Sequence, residues 1–262
     1  MNEIFDTIIV GSGFAGTVAA NLLVQQGEKV LIIEQRQHIG GNCFDSYNEQ
    51  GVLVHNYGPH IFHTDYEEVW EYLSQFTEWL PYQHHVLGLV DGQYVPIPFN
   101  LNTLKLLFRD NTASRLEEKL VNFFGFGKKI PIFDLLEKED PEIQNLAQYI
   151  YDKIFFGYNQ KQWGLSPDQI DSQVTARIPI FVSRDNRYFQ DKYQAIPRHG
   201  YTKLFQNLLD HSNIKLMLNT DMKEMLQVDK INKKILFCDR KFNGRIIYTG
   251  ALDELFNYCY GP

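Results

Sequence analysis

The chain has few cysteines for its 262 residues: Cys43, Cys238 and Cys259 stand far apart, with no C-x-x-C pair among them. An odd, scattered set excludes a disulfide framework and a zinc ribbon, and it fits a reducing compartment. Long hydrophobic runs are also missing. Nothing approaches the roughly 18 consecutive apolar residues of a membrane span, and no basic segment precedes an apolar one at the N-terminus. A basic excess is lacking too: 25 Lys and Arg face 32 Asp and Glu, a formal net charge of −7. That is the wrong sign for a general nucleic-acid binder. The sequence shows no internal repeat and no low-complexity tract. These absences predict a soluble cytoplasmic protein with neither a membrane nor a nucleic-acid partner.

Aromatic residues, by contrast, are plentiful, with 19 Phe, 15 Tyr and 3 Trp. They fill cores, and they also line pockets for flat or sugar ligands. On a chain of negative net charge, an anionic ligand would need local positive groups.

Organisation begins at the N-terminus. Phe5–Val10 is a short apolar run that ends at Gly11-Ser12-Gly13-Phe14-Ala15-Gly16; Thr17–Gln26 has helical spacing, Gly27 is a helix stop, and Lys29–Glu34 is a second apolar strand closed by an acid. Strand, glycine turn, helix and strand within about thirty residues predict a βαβ unit with a parallel pair. In such a unit Gly11 permits the tight turn, Gly13 lets a pyrophosphate approach the backbone, and Gly16 lets helix and strand pack closely. Phe14 and Ala15 open the helix, whose N-terminus favours an anion by roughly 0.3–1 kcal/mol. Glu34 ends the second strand, where an acid accepts from ribose hydroxyls. The pattern predicts a dinucleotide site; a glycine-rich turn with no ligand is the plainer alternative.

Farther along, Tyr66–Leu80 is helical in pattern. Asp91-Gly92 reads as a hairpin turn between Val86–Val90 and Gln93–Ile97. Asn100–Gly157 is largely helical, broken by Gly125, Gly127, Pro131 and Pro141. Leu165–Ile178 reads as a polar loop with one short helix and Phe181–Pro197 as strand-like. Tyr201–Leu209 is a helix, while Ile214–Leu218, Lys230–Phe237 and Arg245–Thr249 are strands. The chain therefore leaves an α/β core near residue 80 and returns near residue 200. Residues 1–80 and 198–262 are expected to form the two parts of the nucleotide-binding domain. Between them lie strands at 81–99, a helical insertion at 100–163, and a mobile substrate loop with antiparallel strands at 164–197.

The continuation from Glu34-Gln35-Arg36 into His38-Ile39-Gly40-Gly41-Asn42 resembles the extended signature of flavoproteins in the glutathione-reductase-like superfamily. That resemblance implies an α/β fold: a Rossmann-like FAD-binding domain with an inserted helical bundle and an antiparallel sheet. Gly40 and Gly41 would let the backbone pass beside FAD, with Asn42, Gln35 and Arg36 nearby; a simple turn at Gly40-Gly41 is the alternative. Ile214-Lys215-Leu216 resembles the strand that supplies an adenine contact, and Ile246-Ile247-Tyr248-Thr249-Gly250 the late T-G strand of the superfamily.

Five blocks resemble a narrower family, the bacterial UDP-galactopyranose mutases. They are Tyr57-Gly58-Pro59-His60-Ile61-Phe62-His63-Thr64; Gly157-Tyr158-Asn159-Gln160-Lys161-Gln162-Trp163-Gly164; Arg177-Ile178-Pro179; Asp185 to Gln194 with Ile196-Pro197; and Gly200-Tyr201-Thr202-Lys203. Together they cover nearly all of the chain, and K-Q-W-G followed by R-I-P is far more specific than the glycine motif. The resemblance implies covalent catalysis by reduced FAD. Its N5 attacks the anomeric carbon of UDP-galactopyranose and displaces UDP, the sugar recloses through a different hydroxyl by way of an iminium, and UDP returns to give UDP-galactofuranose. It also implies a homodimer for the full-length family.

Roles follow by resemblance. Tyr57, Gly58, His60 and Ile61 would lie against the isoalloxazine, and His63 would sense flavin redox state. Arg177 would clamp the pyrophosphate through charge-assisted bonds of about 1.5–3 kcal/mol each. Trp163 would pack near the sugar and the diphosphate, Tyr158 and Asn159 would wall the uracil, and His84, Phe155, Asn186 and Tyr188 would complete the substrate site. The plainer roles are a core tryptophan, a surface ion pair, ordinary packing and a satisfied histidine. His60 and His63 form an H-x-x-H pair, but no third ligand accompanies them, so no metal is expected.

Members of that family continue well past the position of Pro262. A second pyrophosphate-binding arginine, two phosphate-contacting tyrosines and a glycine–arginine segment over the flavin fall there, so weak or no mutase activity is expected of these 262 residues. Two alternatives stay open. Another FAD-dependent oxidoreductase of the superfamily, such as an amine oxidase or desaturase, would share the glycine motif but has no use for K-Q-W-G and R-I-P. A non-catalytic fragment binding FAD or the UDP-sugar is the other.

Overall fold

A computed structural model of the chain describes residues 4–157, 161, 179–229, 234–256, 258–259 and 261. The chain divides into two compact units, Met1–Tyr82 with Asp191–Pro262, and Gln83–Gln190.

The first unit opens with β1 (Thr7–Val10), α1 (Phe14–Gln25) and β2 (Val30–Ile33). The strands pair in parallel, with Thr7 opposite Val30 and Val10 opposite Ile33. Their unbroken apolar runs suit strands covered on both faces. On one face, Ala20, Leu23 and Val24 of α1 pack with Ile9, Val30 and Ile32; on the other, Ile8, Leu31 and Ile33 pack with Phe5 and Leu226. Then come a hairpin of β3 (Asp45–Tyr47) and β4 (Leu53–His55), β5 (Phe62–Thr64), α2 (Glu67–Ser74) and β6 (Trp79–Pro81). The helix expected over Tyr66–Leu80 thus ends at Ser74. Its last apolar residues serve a sheet instead: the Trp79 ring stacks on Phe62 at 4.7 Å and on Trp70 at 5.0 Å.

In the second unit, β7 (Val86–Val90) and β8 (Gln93–Ile97) form the expected hairpin. Both turn residues are left-handed, Asp91 at φ +47° and Gly92 at +80°, as a two-residue turn that matches strand twist requires. A capping box of Asn100 and Thr103 starts α3 (Leu101–Leu107). It is followed by α4 (Asp110–Phe124), β9 (Lys129–Ile130), α5 (Ile132–Leu136) and α6 (Pro141–Ile150), the last capped by Asp140. A widened π turn, Tyr151–Phe155, extends α6, and β10 (Ile180–Phe181) pairs antiparallel with β9. Leu104, Leu116, Leu120, Ile132, Leu135, Ile143, Leu146 and Ile150 are buried in one core, each contributing roughly 1.5–3 kcal/mol of transfer free energy.

The chain rejoins the first unit at β11 (Tyr193–Pro197), which lies antiparallel between β5 and β6. This pairing explains why the units divide at Gln190 and Asp191, ahead of the boundary expected at 198. Next come α7 (Tyr201–Leu209), β12 (Ile214–Met217), the antiparallel β13 (Leu226–Asp229), β14 (Lys234–Phe237) and β15 (Arg240–Lys241), then β16 (Arg245–Tyr248) and α8 (Leu252–Leu255). The parallel sheet has the order β12-β2-β1-β16. From β1 the chain steps to β2 on one side, and β16 arrives on the other. A sheet of this type binds ligands outside its carboxyl ends, where the strand order reverses. Among the described residues no helix is long and apolar enough to cross a membrane.

Candidate functional site

A cleft of about 280 Å³ opens at those carboxyl ends, lined by Gly11, Gly13, Glu34, Gln35, Arg36, Gly41, Asn42, Thr249 and Gly250 among others. The three motif glycines meet three different demands. Gly11 has φ +100°, and a Cβ on it would overlap the Thr249 hydroxyl. A Cβ on Gly16 would overlap the Gly11 carbonyl oxygen. Gly13 is the opposite case: its φ is −73°, and no atom lies within 4 Å of the position a Cβ would take. Nothing within the protein requires a glycine there, so what the position leaves open is room for a ligand. No side chain caps α1 at Gly13, and uncapped N–H groups at a helix start are anion donors.

Glu34 is buried, and it binds the turn as much as it faces the cleft. Its Oε2 accepts from the Ser12 N–H and hydroxyl, both at 2.8 Å, and its Oε1 from the Arg36 N–H at 2.9 Å. Oε2 is saturated by two donors, whereas Oε1 keeps one lone pair. The second glycine pair docks on the first loop. The Gly40 N–H donates to the Ser12 carbonyl at 2.9 Å, and a Cβ on Gly41 would come within 3.3 Å of the Gly13 Cα. Asn42 accepts from the Arg36 guanidinium at 3.0 Å. Thr249 is bonded to β1 through its N–H and its hydroxyl, both donating to the Val10 carbonyl.

Three motif residues do not line the cleft. Phe14 turns inward, packing on Phe205 at 4.7 Å and edge-on to Tyr201; Ala15 is exposed on α1, and Gly16 is buried at the contact with Gly11. Phe14 and Gly16 thus serve packing in this structure. Conversely, Thr220, Asp221, Met222, Lys223, Tyr248 and Glu254 line the cleft and were absent from the sequence-based site. The adenine contact expected from Ile214-Lys215-Leu216 misses them by a few residues. Ile214 and Leu216 pack into the core, and the loop just beyond the strand reaches the cleft. The rule that ligands sit beyond the carboxyl ends of parallel strands would have found it.

The segment at 57–63 lies outside the cleft lining. The Tyr57 hydroxyl is 2.7 Å from the His38 Nε2, and the Arg36 guanidinium sits over its ring at 4.7 Å. Gly58 has φ +94°. The His60 N–H donates to His55 Nδ1 at 2.9 Å, and its own ring nitrogen meets the Gly58 carbonyl; Ile61 is half-buried. His63 Nδ1 lies 3.0 Å from Asp191 Oδ2. Among the described residues no group of three or more His, Cys, Asp or Glu could hold a metal ion.

In the second unit, His84 and Tyr188 come together: the Tyr188 N–H donates to the His84 carbonyl at 2.7 Å, and the rings meet edge-on at 5.7 Å. The Asn186 amide oxygen accepts from Asn100 and Asn102 at 3.0 and 2.9 Å, which pins its turn to the start of α3. Beside it, Arg187 grips Asp185 through two nitrogens and holds that carboxyl below its usual range. Phe155, expected at the substrate, is 2% exposed within the hydrophobic core; the π turn directs it there. Tyr158, Asn159, Trp163 and Arg177 lie outside the described residues.

Comparison with known proteins agrees with this architecture. A family profile for UDP-galactopyranose mutase matches residues 153–262, and one for an NAD(P)-binding Rossmann-like domain matches residues 9–76. The chain is 36% identical over 262 residues to a dTDP-fucopyranose mutase of Escherichia coli, covering 100% of this chain and 66% of that protein. It is 36% identical over 260 residues to a UDP-galactopyranose mutase of Mycoplasma pneumoniae, covering 98% of this chain and 64% of that one. The chain thus spans slightly less than two thirds of the length of these relatives. A crystal structure of reduced UDP-galactopyranose mutase superposes with a TM-score of 0.60 at 22% identity, over 97% of this chain and 57% of that one. The chain belongs to the UDP-galactopyranose mutase family.

Proposed function

We propose that the chain binds FAD across the carboxyl ends of β1, β2 and β16 and serves the interconversion of UDP-galactopyranose and UDP-galactofuranose. The observation that carries this reading is the open space at Gly13 in front of an uncapped helix start, on a chain of the mutase family. The cleft fits FAD in its chemistry. Gly11, Gly13 and the first turn of α1 suit the pyrophosphate, and the open lone pair of Glu34 suits a ribose hydroxyl. The loop from Thr220 to Lys223, with Tyr248, suits the adenosine end. Arg36 and Lys223 are the basic residues of the cleft, but Glu34, Asp221 and Glu254 also line it and Lys223 pairs with Glu254 at 3.7 Å, so the backbone N–H groups of the glycine turn carry the anion recognition.

When bound and reduced, FAD supplies a nucleophilic ring nitrogen able to carry a sugar between its ring forms. The protein has three remaining tasks. Tyr57, Gly58, His60 and Ile61 flank the isoalloxazine, with His63 responding to its redox state. Arg177 neutralises the departing diphosphate, where bidentate charge-assisted bonds are strongest. Trp163, Tyr158, Asn159, His84, Asn186 and Tyr188 hold the nucleotide sugar, while Phe155 stays in the core.

A second reading keeps the chemistry and changes the substrate. The E. coli relative is named for dTDP-fucopyranose, so a dTDP-sugar is the competing nucleotide sugar. The test is to load the protein with FAD, reduce it with dithionite, offer each pyranose separately and resolve products by anion-exchange chromatography. UDP-galactofuranose is the expected product, formed weakly or not at all by these 262 residues alone. Conversion of dTDP-fucopyranose alone would move the assignment to the second substrate, and reduction of bound FAD by an amine would replace it with an oxidase.

A further inference from the structure

We propose that Trp79, Trp70 and Tyr193 form a hole-conducting ladder that carries one-electron oxidations to the surface and ends them as a tyrosyl radical on Tyr193, with Glu67 taking the phenol proton. Four rings lie face to face in sequence. Phe62 stacks on Trp79 at 4.7 Å and 23°, Trp79 on Trp70 at 5.0 Å and 21°, and Trp70 on Tyr193 at 4.9 Å and 14°. Offset stacks at these distances bring the ring faces into contact. Electronic coupling between π-systems falls exponentially with separation, so it is strongest at contact. A phenylalanine ring resists oxidation, whereas indole and phenol give up an electron readily. Phe62 therefore closes one end, and the other three rings conduct.

The two ends differ in what surrounds them. Phe62 and Trp79 pack against the buried cluster of Leu73, Leu204 and Phe205. Trp70 on α2 and Tyr193 at the start of β11 carry the stack from there to charged groups. The Tyr193 hydroxyl donates to Glu67 Oε1 at 2.8 Å, and the Lys192 ammonium lies 3.3 Å from the same oxygen and 4.6 Å from the centre of the Tyr193 ring. The Tyr193 hydrogen bond, and after it Lys192, hold the Glu67 carboxyl below its usual range, so at neutral pH it is ionised and able to accept a proton. At the core side the Trp79 indole N–H donates to the Ser74 hydroxyl at 2.9 Å. A hydroxyl is no base, so oxidised Trp79 keeps its proton and stays a strong oxidant of the next ring. Packing explains the contacts. It requires neither this order of rings nor a carboxylate at the last hydroxyl.

The oxidant is a diffusible one-electron radical of the azide or carbonate class. It takes an electron from Trp79 and leaves as its anion, and Trp70 refills Trp79. Tyr193 refills Trp70 as its phenol proton passes to Glu67, which leaves a neutral tyrosyl radical and a protonated carboxyl. A thiolate in solution then returns one electron, Glu67 returns the proton, and two thiyl radicals pair as a disulfide. The chain is restored, and the oxidising equivalent has left it.

Pulse radiolysis with azide radicals tests the ladder. Azide radicals oxidise tryptophan ahead of tyrosine, and a Trp163→Phe background leaves Trp70 and Trp79 as the chain's only tryptophans. The tryptophyl absorption should decay into tyrosyl absorption at a first-order rate independent of protein concentration. Tyr193→Phe should abolish that phase and lengthen the life of the tryptophyl radical, and Trp70→Phe should abolish it for holes that start on Trp79. Glu67→Gln, at an exposed carboxyl, should slow it severalfold. No concentration-independent conversion in the parent protein, or the same conversion in Tyr193→Phe, overturns the ladder. An unchanged rate in Glu67→Gln overturns the proton acceptor. The parent and Glu67→Gln decide even if a ring variant fails to fold.

Discussion

Gly13→Ala separates a ligand's demand for glycine from the fold's. The backbone at Gly13 has φ −73° and ψ −173°, values an alanine adopts without strain, and its methyl would meet nothing within 4 Å. Two small effects then oppose each other. Replacing glycine in an unstrained conformation stabilises by about 0.4–1 kcal/mol through the unfolded chain. Alanine at a helix N-cap is worse than glycine by several tenths of a kcal/mol. The sum lies within about 1 kcal/mol of zero, or roughly 2–4 °C in Tm for a chain of this size. FAD binding should fare differently, because the methyl occupies the approach of the pyrophosphate to the α1 N–H groups. Losing one charge-assisted bond there costs about 1.5–3 kcal/mol, roughly a 10- to 100-fold rise in Kd. Thermal unfolding by circular dichroism gives the first number, and quenching of FAD fluorescence on titration gives the second. A variant that folds like wild type and binds FAD equally well would refute the assignment of that open space to the dinucleotide.

Other substitutions probe the framework. Gly16→Ala drives a methyl into the Gly11 carbonyl, which cannot yield without moving the turn, so urea denaturation should show a loss of about 1–3 kcal/mol; unchanged stability would contradict the packing. Asp45→Ala removes the carboxylate that accepts the Tyr201 and Thr202 N–H groups at 2.6 and 2.8 Å. With Asp45 buried, the expected loss is about 1–3 kcal/mol, and Asp45→Asn should recover part of it. Arg187 holds the Asp185 pKa below its unfolded value, so the pair's stabilisation is present above the unfolded value of about 3.9 and fades as pH falls through the folded one. Urea midpoints of wild type and Arg187→Ala should therefore differ at neutral pH and converge in acid; a gap that widens in acid would reverse the sign. Burial pushes the Cys43 thiol up to about 11, so with iodoacetamide at about pH 8 it should label after the exposed Cys238 and Cys259, as peptide mapping over time would show.

The β1–α1–β2 unit was legible because its strands are continuous apolar runs and its turn is marked by glycines that the backbone requires. The β7–β8 hairpin was legible for the same reason: Asp91-Gly92 has a conformation few other pairs adopt. The β3–β4 hairpin was not. Its strands are three residues long, and Asp45 and Tyr47, which share one face, are a buried acid and an exposed aromatic, so no apolar alternation marks the strand. The early end of α2 was hidden because Trp79 and Leu80 continue the helical pattern of apolar residues while pairing with β11. In the cleft, spacing located Gly11, Gly13 and Gly16 but could not say that Phe14 turns toward α7. The loop at 220–223 carries no pattern of its own; β12 delivers it to the cleft, and only sheet order reveals that.

The account rests on a single cofactor in the cleft beside Gly13. The most direct measurement is the visible absorbance spectrum and flavin content of the protein after incubation with FAD and removal of unbound flavin by gel filtration. One FAD per chain, with a flavin band perturbed from that of free FAD, is the predicted result. Protein that emerges without flavin, or that takes up NAD in its place, would contradict the account.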